Sequence, residues 1–249
     1  MNLGAIIASK GRPNGAMVYH GAFATFRIIE MLDQLSVIQK IAVFALPMIF
    51  AITLHEVAHG WVAYKFGDDT AYAAGRLSLN PIRHIDPLGT IIVPLAMYLL
   101  TGFIFGWAKP VPVNFARLRN PRRDMGLVAF AGPAANLLMA ILWALILRAG
   151  LGLVESTPWL GQPMIFMGYA GILINAFLMI LNLIPIPPLD GGRVLTALLP
   201  PALAEKYAQI EPVGIFILLG LLMTGLLDWF LWPGISLVSR ISGAVAGLI

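Results

Sequence analysis

Apolar residues fall in six long runs separated by short polar stretches, and the runs set the architecture. They extend over about Val37–Lys65, Pro87–Phe105, Met125–Leu147, Pro163–Ile184, Ile210–Leu227 and Trp229–Leu248. Each approaches the roughly 20 residues a helix needs to cross a bilayer. The pattern predicts an all-α membrane protein, a multi-spanning helical bundle of about six transmembrane helices. The last two runs meet at a tight junction. A re-entrant or interfacial final segment would leave five crossings.

The polar stretches carry their own signals. Between the first two runs, Gly67–Asp86 includes Ala74-Gly75-Arg76-Leu77-Ser78-Leu79-Asn80-Pro81. Its short alternation, bounded by Gly and Pro, predicts a small membrane-associated β-hairpin. Between the second and third runs, Lys109, Arg117, Arg119, Arg122 and Arg123 face only Asp124 as a counter-charge. A short loop with that excess of Lys and Arg stays in the cytoplasm. Arg148 and Arg240 are expected to snorkel to headgroups.

Composition narrows the class. Of 249 residues, 59% are hydrophobic and only 11% charged, against about 25% charged in an ordinary soluble domain. That leaves too little polar surface to coat a water-soluble globule. The absence of Cys excludes disulfides, thiol catalysis and Cys-ligated zinc. The net charge of +4 comes with no basic-aromatic stripe, so no nucleic-acid partner is expected. Residues 1–30 contain no long apolar core and read as an N-terminal tail or extension rather than a signal peptide, with Met31 as an alternative start. Residues 31–249 read as a single transmembrane domain.

The first run ends in His55-Glu56-Val57-Ala58-His59. On a helix this spacing puts two imidazoles one turn apart on one face, with a carboxylate beside them. Ionisable groups at membrane depth are costly and are usually functional. Two neutral imidazoles are good zinc ligands, and a catalytic zinc wants a third protein ligand plus an open position. His20, His84 and Asp190 are the candidates for that ligand. Asp190 stands in Asn182-Leu183-Ile184-Pro185-Ile186-Pro187-Pro188-Leu189-Asp190-Gly191-Gly192. The prolines stop the helix and the two glycines permit a sharp turn. Irregular backbone at membrane depth is tolerated only inside protein or beside a wet cavity.

Taken together, the HExxH pentad and the later N-x-x-P-x-P-x-x-D-G pattern (Asn182 to Gly191) resemble the site-2 protease family of intramembrane zinc metalloproteases. Gly132-Pro133-Ala134-Ala135-Asn136 is similar to that family's G-P-x-x-N element. Gly106 to Val113 (GWAKPVPV) resembles the compact bacterial branch, which has no PDZ domain. The resemblance covers roughly Ile41 to Thr196. It implies one Zn2+ per chain, held by His55, His59 and Asp190, with Glu56 as general base and acid. It implies that Asn182 holds the substrate backbone. Asn136 is a second substrate-binding candidate, or else an interhelical hydrogen bond. The implied partners are the lipid bilayer and a membrane-protein substrate with a transmembrane helix. The implied location is a multi-pass protein of the bacterial inner membrane, and the strand-like Arg76–Asn80 would pair with an unwound substrate.

Two other classes fit parts of this pattern. A divalent-metal transporter would also place His, Glu and Asp in the membrane, but would use Glu56 as a ligand. An inactive relative that binds membrane proteins, or a zinc hydrolase acting on a lipid, completes the set.

Overall fold

The computed structural model describes residues 32, 34–93 and 109–248. Three long apolar helices carry the fold: α1, Val37–Lys65; α3, Pro121–Leu153; and α4, Pro158–Asn182. A single turn, α2 (Thr70–Ala73), follows α1. After α4 come α5 (Asp190–Leu198), α6 (Pro201–Ala208), α7 (Glu211–Met223) and α8 (Asp228–Val245).

Local chemistry explains where the helices begin and end. Ser36 opens α1 with a capping box. Its hydroxyl accepts the Gln39 N–H at 3.3 Å, and the Gln39 side chain accepts the Ser36 N–H at 2.9 Å. Asp124, fully buried, accepts the Asn120 N–H at 2.9 Å at the start of α3. It therefore satisfies backbone there and is not a counter-charge for the basic loop. Arg117 instead pairs with Asp69 at 2.6 Å. Pro185, Pro187 and Pro188 end α4, and the chain restarts as a helix at Asp190.

The first, third and fourth apolar runs are α1, α3 and α4, as expected. At 29, 33 and 25 residues they are the helices long and apolar enough to cross a membrane among the described residues. The other runs depart from the reading above. The second begins as a π-helical turn at Pro87–Ile92, and positions 94–105 lie outside the described residues. The fifth yields α7, whose 13 residues rise only about 20 Å, short of a hydrocarbon core of about 30 Å. It joins α6 at a 66° bend, and the pair passes as one broken span, giving up to four. The sixth, α8, falls below the apolarity of a span because Asp228 and Arg240 interrupt it. Residues 1–30, with His20, lie outside the described residues.

No β-hairpin forms among the described residues. The 76–80 segment is irregular and lies beside residues 109–111. One side chain and one isolated backbone bond make the link: Arg76 Nη2 donates to the Lys109 carbonyl at 2.8 Å, and the Lys109 backbone N–H donates to the His84 carbonyl at 3.0 Å. Pro110 and Pro112 lack the N–H groups a ladder would need.

The core lies between α3 and α4, with α1 crossing both. Trp143, Ala144, Leu147 and Ile172 form its centre. Ala140, Ala176 and Ile180 join α8 residues Leu231, Ile235 and Val238 in a second cluster. Arg148, expected to snorkel, donates to the Ala246 carbonyl at 2.6 Å and so caps the end of α8. The outer face of α1 leaves Ile38, Ile41, Leu46, Met48, Ile49 and Phe50 exposed. In water that apolar face would be a liability; against lipid it costs nothing.

Candidate metal centre

One turn of α1 carries His55 and His59, and the broken segment after α4 returns Asp190 to them. The two Nε2 atoms are 3.0 Å apart. Asp190 Oδ2 lies 3.1 Å from the first and 3.3 Å from the second. Asp190 is thus the third member of the cluster. His84, the other described candidate, is elsewhere: its Nε2 meets the Ser78 carbonyl at 2.8 Å.

Helix α3 supplies the wall behind the imidazoles. Val128, Gly132 and Asn136 recur every four residues and so share one face. The Val128 carbonyl lies 2.7 Å from His59 Nδ1. A carbonyl only accepts, so Nδ1 carries the proton and Nε2 a lone pair. Asn136 Oδ1 lies 2.6 Å from His55 Nδ1, which makes the same assignment there. Between them, Gly132 leaves the space the rings occupy. A Cβ at that position would stand 2.5 Å from both His55 Cε1 and His59 Nε2.

These observations test whether the site fits a metal. Two imidazole lone pairs and a carboxylate oxygen converge within hydrogen-bond distance of each other. Asp190 Oδ2 is buried and has no hydrogen-bond partner. Three electron-rich atoms facing each other repel unless a cation stands among them. Two imidazole nitrogens and one carboxylate oxygen are a ligand set of catalytic zinc. The group can therefore hold one metal ion.

Glu56 is in the same cavity but outside this cluster. Its Oε2 accepts the Val111 N–H at 2.7 Å. Residues 109–114 cross the mouth of the site as a strap tied down at both ends. Arg76 holds the carbonyls of Lys109 and Pro110, and fully buried Asp68 accepts the Asn114 N–H at 2.7 Å. The cavity, about 190 Å³, is lined by Glu56 and the three ligand candidates. Val111, Phe115, Asn182, Leu189 and Arg193 are also in its wall.

Asn182 lies on the cavity wall. Its Nδ2 donates to the Leu178 carbonyl at 3.0 Å. Asn136 does not. It is fully buried, absent from the cavity wall, and committed to His55, Asn175 and the Ala51 carbonyl. The interhelical alternative is the one observed, because the Asn136 amide is spent on α1 and α4. Sequence reasoning missed Val111, Asn175 and Arg193. Arg193 follows the Asp-Gly-Gly turn and could have been suspected from its place; Val111 lies within the GWAKPVPV stretch, which carried no role for it, and nothing marked Asn175.

Two imidazoles and a carboxylate gathered beside a glutamate inside an apolar helix bundle are the parts of a metallohydrolase site. Comparison with known proteins gives the family. Residues 156–224 match the model of Peptidase family M50, a stretch that includes Asn182 and Asp190. The chain is 42% identical over 191 residues to "Putative zinc metalloprotease YwhC" of Bacillus subtilis (strain 168), covering 76% of this chain and 83% of the relative. It is 30% identical over 203 residues to "Putative zinc metalloprotease Rip2" of Mycolicibacterium smegmatis, covering 80% and 74%. A third relative, "Putative zinc metalloprotease MJ0611" of Methanocaldococcus jannaschii, is 27% identical over 188 residues, covering 70% and 85%. No solved structure matches the chain. The chain belongs to peptidase family M50, the site-2 protease family, and is a zinc metalloprotease of the membrane.

Proposed function

We propose that this protein hydrolyses a peptide bond in or near a transmembrane segment of another membrane protein. The observation that carries the reading is the convergence of His55, His59 and Asp190 within an apolar helix bundle, with Glu56 beside them in one cavity and engaged elsewhere. A transporter would turn Glu56 toward the ion. Here one oxygen of Glu56 accepts a backbone N–H and the other is left to take a proton.

His55, His59 and Asp190 would hold the zinc. When bound, zinc supplies a Lewis acid that polarises a carbonyl and acidifies water. Glu56 takes a proton from the attacking water. Oxygen adds to the scissile carbonyl carbon, the C–N bond breaks, and Glu56 returns the proton to the leaving amine. Asn182 offers an amide to the extended backbone of the substrate, which a helical segment exposes only after local unwinding. Apolar Val111, Phe115 and Leu189 suit the side chains of a membrane segment and help exclude bulk water.

The setting follows from the same reading. The protein crosses the bacterial cell membrane several times, with the basic loop at 117–123 in the cytoplasm. The second run, the bent α6–α7 pair and α8 would bring the crossings to six. Cysteine accessibility at Arg119 tests the orientation, and labelling only from outside the cell would reverse it. The activity is tested with Glu56→Gln. Zinc content equal to wild type, with cleavage of tagged single-span proteins abolished, supports the protease. Loss of the metal would make Glu56 a ligand and favour transport.

A further inference from the structure

We infer that Asn175, on α4, fixes which nitrogen of His55 faces the metal, acting through Asn136 as a positioning residue. Helix α4 contributes no ligand itself. The consequence for zinc rests on the reading above; the hydrogen-bond geometry does not.

The relay starts at a group with no choice. The Gly171 carbonyl can only accept, so the Asn175 amide, 2.8 Å away, must present Nδ2 to it. That turns Asn175 Oδ1 toward Asn136 Nδ2, at 3.0 Å. Asn136 then has only Oδ1 to offer His55 Nδ1, at 2.6 Å. His55 must carry its proton on Nδ1 and point the Nε2 lone pair into the ligand cluster. The Ala51 carbonyl, 3.4 Å from Asn136 Nδ2, favours the same orientation more weakly.

Reversing the relay would set two oxygens against each other at Gly171. Both asparagines are fully buried, so no water can take up the mismatch. The approach of the helices depends on Gly171, where the Trp143 ring occupies the space of a Cβ at 2.2–2.5 Å. A buried amide pair can also serve as plain interhelical adhesion. That bland role predicts an effect on stability alone. The relay predicts an effect on tautomer and on metal affinity.

The test compares wild type with Asn175→Leu, Asn175→Ala and Asn175→Asp in nanodiscs. Zinc affinity is measured by competition with a coloured chelator. Tautomers of the histidines are read from 15N side-chain shifts of the metal-free protein. A buried, neutral aspartic acid reproduces the pattern, with O–H to Gly171 and C=O toward Asn136. Asn175→Asp is therefore expected to keep the Nδ1 proton on His55 and to bind zinc as wild type does. Asn175→Leu is expected to let a His55 Nε2–H signal appear and to weaken zinc binding about tenfold, the low end for a residue behind a ligand because Ala51 still helps. Asn175→Ala tests the same loss without added bulk if the Leu variant does not fold. Wild-type affinity and an unchanged His55 tautomer in the Leu or Ala variant would overturn the inference. So would equal losses in the Asp and Leu variants with the Nδ1 proton retained. A wild type that binds no zinc would sink the zinc reading alone, since the tautomer is read without metal.

Discussion

Replacing Gly132 by alanine pits two effects of opposite sign against each other. Gly132 lies inside α3, where alanine is the better helix former by about 0.8–1 kcal/mol. Helix propensity alone therefore predicts a more stable protein. The surroundings predict a damaged site. The new methyl would stand 2.5 Å from His55 Cε1 and from His59 Nε2, and 2.6 Å from His55 Nε2. Carbon contacts settle near 3.5–4.0 Å, so the rings or α3 must give by roughly 1 Å. Overpacking of this kind costs about 1–3 kcal/mol, which offsets the propensity gain at its low end and exceeds it by about 2 kcal/mol at its high end. A metal site does not share that tolerance: its ligand distances hold to about 0.2 Å, and a 1 Å misplacement can cost about 100-fold in rate. Gly132→Ala is expected to melt at or a few degrees below the wild-type temperature, lose zinc on dialysis, and cleave at least about 100-fold more slowly. Gly152→Ala is the control, because it lies on the same helix with no atom within 4 Å of the added Cβ. The assay is metal content, thermal unfolding in detergent, and cleavage of a tagged single-span substrate. Wild-type zinc content and cleavage in Gly132→Ala would refute the packing argument.

Other expectations follow from the same geometry. Glu56→Gln keeps the metal and lowers cleavage by about 100-fold to 10,000-fold, as loss of a general base does; residual activity near wild type would remove Glu56 from proton transfer. Asp190→Asn weakens zinc retention during dialysis, and unchanged retention would place the third ligand elsewhere. Chelation leaves the imidazole lone pairs facing each other 3.0 Å apart, so added zinc should raise the unfolding temperature; a metal-independent melt would contradict this. Asp68 is fully buried and accepts the N–H groups of Thr70 and Asn114. Asp68→Ala leaves those donors unpaired at about 1–3 kcal/mol, and proteolysis within residues 109–114 should increase; an unchanged digest would separate the strap from Asp68.

Much of this protein was legible because its signals are local. Apolar length places α1 at Val37–Lys65, with the pentad on it, and three closely spaced prolines end α4 before Asp190. The later runs are harder to read for a physical reason. Apolarity measures what a segment can tolerate, and α7 and α8 satisfy the pattern while falling short in length or in uninterrupted apolar character. The hairpin misled because alternation at 76–80 says nothing about whether a neighbouring segment has N–H groups to pair, and Pro110 and Pro112 do not.

By itself the sequence determined the membrane setting, the two-histidine turn and the kinked carboxylate, since each rests on spacing within one segment. Tertiary structure decided what those residues meet. The broken helix and the family pattern favour Asp190 over His84 as third ligand, but only the return of that segment to α1 brings Oδ2 within 3.1 Å of His55. Asn136 and Asn182 are alike as isolated letters in apolar helices. One turned inward to orient an imidazole and the other lines the cavity, because which face of a helix is buried is settled by its neighbours and not by its own composition.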